Sequence, residues 1–172
     1  MFTIDESHMT FGPFSEEECF HIEKSTIYTR NKDSVKMVEF VLLQDAKDIQ
    51  EKLLFVEAKS SFSQPVNQSD FDKNVDDVCA KMVNAFHLFL ALYLKRHQEY
   101  EVELNQRFQN LNMANVDLRF ILVIHGFKEE WLPPVKDAFT KQFIPFKKTW
   151  KLTGSPFLVL NDTMAQEYNL IR

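Results

Sequence analysis

Between Cys19 and Arg30 the chain alternates, with Phe20, Ile22, Thr26 and Tyr28 on one side and His21, Glu23 and Ser25 among those on the other. That two-residue period predicts a half-buried strand. Asn31-Lys32-Asp33-Ser34 has turn composition, and Val35 to Leu43 is a strongly apolar run. A polar loop from Gln44 to Glu51 leads into Lys52-Leu53-Leu54-Phe55-Val56-Glu57-Ala58-Lys59. Three strands with short polar connections predict an antiparallel meander. The period then changes. Val75, Val78, Cys79, Met82, Phe86, Phe89, Leu90 and Tyr93 recur at three- and four-residue steps, predicting an amphipathic helix begun by Ser69 or Asp70 and running on past Tyr100. Leu118 to Ile124 is a nearly continuous apolar run, the signature of a strand covered on both faces. Pro133 and Pro134 suit a helix's first turn, with Pro145 kinking or interrupting that helix before Trp150. Phe157 to Leu160 reads as a last short strand, followed by a helix capped by Asn161 or Asp162 that ends near Tyr168.

Strands first, then helix, strand, helix, strand, helix, predicts an α/β fold with a mixed β-sheet flanked by helices. With 172 residues and no stretch of linker or repeat composition, residues 1–172 read as one domain. No apolar run is long enough to span a membrane. Met1 to Glu6 lacks a signal-peptide pattern, and Cys19 and Cys79 stand alone as expected for reduced, buried thiols, so cytoplasmic residence is expected. The net charge of −5 argues against a protein that coats nucleic acid nonspecifically. Charge is uneven, however: residues 128–151 carry six lysines against three acids, a solvated helix face or a local basic surface.

The chemistry concentrates on the third predicted strand. Glu57 and Lys59 are two apart and leave the same face. A Glu-x-Lys triplet alone is what this composition gives by chance. Here it ends an apolar strand, where an acid and an amine are costly to bury without purpose. The preceding strand holds Glu39 among Met37, Val38, Phe40 and Val41, and antiparallel pairing brings Glu39 beside Glu57. Two carboxylates with the backbone carbonyl of Ala58 make an oxygen cage suited to Mg²⁺ or Mn²⁺. Lys59 is placed to orient a water or to offset charge on a phosphate.

The run Val38-Glu39-Phe40-Val41-Leu42-Leu43 … Leu54-Phe55-Val56-Glu57-Ala58-Lys59-Ser60-Ser61 resembles the PD-(D/E)XK nuclease superfamily. The resemblance covers about residues 19–125, with residues 126–172 as a helix-strand-helix extension. It implies a restriction-endonuclease-like fold and hydrolysis of nucleic-acid phosphodiesters, DNA before RNA. Glu39, Glu57 and Lys59 would be catalytic, with the metal held by Glu39, Glu57 and Ala58. Members usually carry Pro-Asp where this chain has Val38-Glu39, and many bear a further Glu on a first helix, for which Glu18 or Glu23 is the stand-in. Because such scaffolds also serve without catalysis, the alternative is a degenerate module that binds a protein or nucleic-acid partner or forms a homodimer. His125 ends the buried strand but reads first as a solvent-facing or core-satisfied side chain. Phe86 and Phe89 read as core, and the absence of a Gly-rich phosphate loop, HExxH or GxSxG removes nucleotide-hydrolase, zincin and serine-hydrolase readings.

Overall fold

The computed structural model describes residues 1–31, 35–45, 50–97 and 103–172. Its elements are β1 (Phe2–Glu6), β2 (Met9–Phe14), β3 (Cys19–Phe20), α1 (Thr26–Asn31), β4 (Phe40–Gln44), β5 (Lys52–Lys59), α2 (Gln68–Tyr93), α3 (Gln106–Gln109), β6 (Asp117–Ile124), α4 (Leu132–Thr149), β7 (Phe157–Leu160) and α5 (Asp162–Glu167). Five strands form one sheet in the order β3-β4-β5-β6-β7, and β1 and β2 form a separate hairpin. β3, β4 and β5 are antiparallel neighbours, whereas β5, β6 and β7 run parallel. The fold is therefore mixed α/β around a mixed sheet, and the expected meander and the buried strand β6 are both present.

Alternation along the central strands divides the molecule into layers. Leu53 and Phe55 of β5, with Phe120, Leu122 and Ile124 of β6, face the apolar sides of α2 and α4. This side is built from phenylalanine. Phe55 stacks on Phe120 at 5.3 Å between ring centroids and meets Phe86 and Phe89 edge-on, while Phe139 stacks on Phe157 at 4.3 Å. Leu54, Val56 and Ala58 of β5, with Ile121 and Val123 of β6, face Ile4, Met9, Phe11 and Phe14 of the hairpin and Ala165 of α5. Every β6 residue from Phe120 to Ile124 is fully buried, as a strand covered on both faces must be.

Several boundaries differ from expectation. The predicted strand over Cys19–Arg30 pairs only through Cys19 and Phe20; a 3-10 turn at Ile22–Lys24 and α1 follow. Ser25 decides this. Its hydroxyl accepts from the Tyr28 N–H at 3.2 Å while Glu103 accepts from the Thr26 N–H at 2.9 Å, so capping of a helix start overrides the alternation. β4 begins at Phe40 rather than Val35, because the preceding residues hold onto α2: the Asn84 amide donates to the Lys36 carbonyl at 3.1 Å, and Lys36 pairs with Asp77. α2 starts after Asn67, not at Ser69 or Asp70. It stops at Tyr93, not beyond Tyr100, through a left-handed Lys95 (φ 54°), with the Arg96 N–H donating to the Ala91 carbonyl at 2.9 Å. Pro145 does not interrupt α4; it lies on the exposed face of the helix. Asn161 does cap α5, accepting from the Met164 N–H at 3.1 Å. The turn at 32–34, most of the polar loop at 46–49 and residues 98–102 lie outside the described residues.

The hairpin had no counterpart in the expected elements. Ser7 and His8 make its two-residue turn with φ of 51° and 66°, a conformation usually given to Asn-Gly. Its far end is fixed by Gly12 (φ +96°), whose N–H donates to the Leu170 carbonyl at 2.9 Å. Among the described residues no helix is long and apolar enough to cross a membrane.

Candidate active site at the end of the sheet

Register places the two predicted acids side by side. The last β4–β5 pair is Phe40 opposite Val56; the next residue, Glu39, donates its N–H to the Val56 carbonyl at 3.1 Å and so stays at the strand end, where Lys81 reaches both it and Glu57. Glu57 and Lys59 leave the α2-facing side of β5, as the alternation requires. The His125 N–H donates to the Lys59 carbonyl at 2.9 Å, toward β6. The Ala58 carbonyl, one residue back, is therefore turned toward the β4 side, where Glu39 lies.

These acids are deeply buried, Glu57 fully and Glu39 to 4% exposure. α2 supplies their counter-charges. Lys81 Nζ lies 2.7 Å from Glu57 Oε1 and 3.9 Å from Glu39 Oε1. Lys59 Nζ lies 3.2 Å from Glu57 Oε1 and 3.3 Å from Asp77 Oδ2, and Asp77 also pairs with Lys36. The other carboxylate oxygen of Glu57, Oε2, is buried without a hydrogen-bond partner. Lys81 and Asp77 were not singled out from the sequence. Their signal is a four-residue step at the edge of the apolar stripe of α2, where charged side chains reach the sheet end.

Glu23 joins the group and Glu18 does not. The Glu23 N–H donates to the Glu39 carbonyl at 3.4 Å, and Glu6, Glu23 and Glu39 each bring an oxygen within 4.8 Å of the others. Glu18 instead pairs with Arg107 at 3.1 Å. Burial, then the charge of Glu57 and a side-chain hydrogen bond with Glu23, push the Glu39 carboxyl up to about 9. Burial also raises Glu57, against the pull of Lys81 and Lys59. Asp77 is shifted down: burial opposes this, but bonds from Lys36 and Lys59 prevail.

His125 lies elsewhere. Its Nδ1 is 2.8 Å from Asp162 Oδ1, its ring is 5.8 Å from that of His8, and Asp162 also accepts from the Gly126 N–H at 2.6 Å. Asp162 thus ties the end of β6 to the start of α5. Cys19 and Cys79 are both buried free thiols, pushed up to about 12 by burial. A groove of about 520 Å³ runs along the outer edge of β7 between α4 and α5, and none of the acidic residues of the sheet end lines it.

No family model matches this chain, and no curated protein or solved structure matches it either.

Proposed function

We propose that this chain is a divalent-metal-dependent phosphodiesterase of the PD-(D/E)XK type that hydrolyses nucleic acid, DNA before RNA, in the cytoplasm. The observation that carries this reading is the convergence of Glu39, Glu57 and Lys59 at one end of two adjacent strands, with Glu23 brought in by the segment ahead of α1. Their order along the chain supports a restriction-endonuclease-like arrangement: acid before β4, Glu-x-Lys at the end of β5, then a long helix and a buried parallel strand. The donor set fits a hard cation, being all oxygen and including a buried Glu57 oxygen with no partner. Mg²⁺ or Mn²⁺ would be held by Glu39, Glu57 and the Ala58 carbonyl, with Glu23 alongside. Such an ion supplies polarisation of a phosphate oxygen and a more acidic water. Lys59 Nζ lies 3.2 Å from Glu57, where it would offset negative charge gathering on a phosphate under attack.

Purified protein with Mg²⁺ or Mn²⁺ should nick DNA or RNA. Glu57→Ala and Lys59→Ala should each lower the rate by about 10²–10³-fold while circular dichroism stays that of the parent. Equal cutting by both variants would sink the assignment.

One observation favours a second reading, a nuclease-fold module without catalysis that binds a partner or pairs with its own copy. The Lys81 ammonium already neutralises Glu57 and approaches Glu39. Failure to nick, together with no calorimetric heat from Mn²⁺, would favour the module.

A further inference from the structure

We propose that the outer edge of β7 is a self-pairing surface, on which a second copy of this chain docks so that two β7 strands run antiparallel and two sheets become one. Such pairing needs nothing of Glu39, Glu57 or Lys59 and is independent of cleavage. β7 ends the sheet on one side and β3 on the other. β3 is only two residues long, whereas β7 offers Phe157-Leu158-Val159-Leu160 without the charge or proline that usually blunts an edge. The phase of the ladder says which groups face outward. The Phe120 N–H donates to the Pro156 carbonyl at 2.8 Å, and Phe120 pairs with Phe157 and Leu122 with Val159 in parallel register. Pro156, Leu158 and Leu160 therefore turn their bonding groups toward β6, and Phe157 and Val159 turn theirs away. The Ser155 hydroxyl donates to the Phe157 carbonyl at 3.3 Å. Among the described residues no partner meets the N–H and C=O of Val159, yet Val159 is only 5% exposed. Backbone groups so little open to water are costly to leave unbonded. Another extended backbone satisfies both at once.

Room for that backbone runs the length of the edge. A cavity of about 190 Å³ lies along residues 154–157, walled by Thr140, Phe143 and Lys147 of α4. The groove of about 520 Å³ continues along residues 158–160, with Tyr168 on its rim, 43% exposed. Charge then selects the occupant, because the two ends differ in sign. Beside the start of β7, Lys147 donates to the Gly154 carbonyl, and residues 138–161 hold four lysines and no acid. Beside its end, Glu129 and Asp137 line the groove against one lysine, Lys136. A two-fold axis at Val159 lets Val159 and its counterpart exchange two hydrogen bonds. The same axis sets the basic end of each copy against the acidic end of the other. Parallel pairing of the two strands would set like charges together.

The experiment is sedimentation and amide hydrogen exchange on the full chain, Val159→Pro, Lys147→Glu, Asp137→Lys and the double reversal. The parent should sediment at twice the mass of one chain, and its Val159 amide should exchange faster on dilution. Val159→Pro removes an outward N–H and no bond to β6, so it should be monomeric with the parent's circular dichroism. Should that variant fail to fold, the charge reversals decide. Lys147→Glu and Asp137→Lys should each weaken the dimer by at least about tenfold, and the two together should restore it. Purely structural roles for these residues would give no restoration. A parent that stays monomeric at every soluble concentration overturns the proposal and turns the edge over to an extended peptide of another protein. A dimer that survives Val159→Pro, or that neither reversal weakens, overturns it as well, as does a double reversal no tighter than either single one.

Discussion

The two faces of β5 differ more than its near-uniform burial suggests. Toward α2 and α4 the strand presents Leu53, Phe55, Glu57 and Lys59, passing from a phenylalanine core into a charged cluster within two residues. Toward the hairpin it presents Leu54, Val56 and Ala58 and stays apolar to its end. One face thus spends its last positions on ionic chemistry while the other keeps the hairpin docked. A strand with a two-residue period can hold both because neighbouring side chains never share an environment.

The core offers the largest test of that contrast. Phe55→Ala should cost about 3–5 kcal/mol in denaturant unfolding, since the ring contacts Phe86, Phe89 and Phe120 together. Leu54→Ala, one residue along on the hairpin side, should fall near the lower end of roughly 2–5 kcal/mol. A reversed order would show that the hairpin layer, not the phenylalanine layer, holds the sheet. Next comes the ionic end. Lys81→Met should destabilise by about 2–3 kcal/mol, less than a fully buried broken pair because Lys81 retains some solvent contact. Adding Glu57→Gln to it should recover part of that loss, and a double variant no better than the single would mean that Lys81 acts through packing alone.

The smallest effect is on pH. In the folded chain the Glu39 carboxyl holds its proton up to about 9, against an ordinary 4.5. Between those values the folded state binds the extra proton, so stability falls as pH rises through the window. Metal-free melts should show a lower Tm at alkaline than at mildly acidic pH. Glu39→Gln should recover roughly 3–6 °C at the alkaline end, the shift that about 1.5 kcal/mol makes in a chain of this size. A parent Tm that does not fall across this range would place a charged partner at Glu39 that the protein itself supplies.

Much of this was legible where one period held over many residues. β5, β6 and β7 lie where the apolar runs put them, and the Glu39–Glu57 juxtaposition follows from antiparallel pairing of two such runs. Where local hydrogen bonding competes with pattern, the reading failed. Alternation at Cys19–Arg30 gave way to the Ser25 cap, and α2 stopped at Tyr93 because the left-handed Lys95 just beyond it does the work usually signalled by glycine. The hairpin did carry a signal, Phe2 and Ile4 alternating with Thr3 and Asp5, but Ser7-His8 is not a turn pair that pattern reading trusts. Glu6 and Lys81 were out of reach for a different reason: each meets the cluster only through tertiary packing.

Gly12 limits how this chain can vary over evolutionary time. A methyl group there would come within 2.9 Å of the Phe14 nitrogen and 3.0 Å of the Phe2 carbonyl oxygen, whereas one at Gly126 or Gly154 would meet nothing within 4 Å. In descendants that keep the N-terminal layer, this position should stay glycine while the surface around it drifts. Lineages that lose it should lose the layer as well.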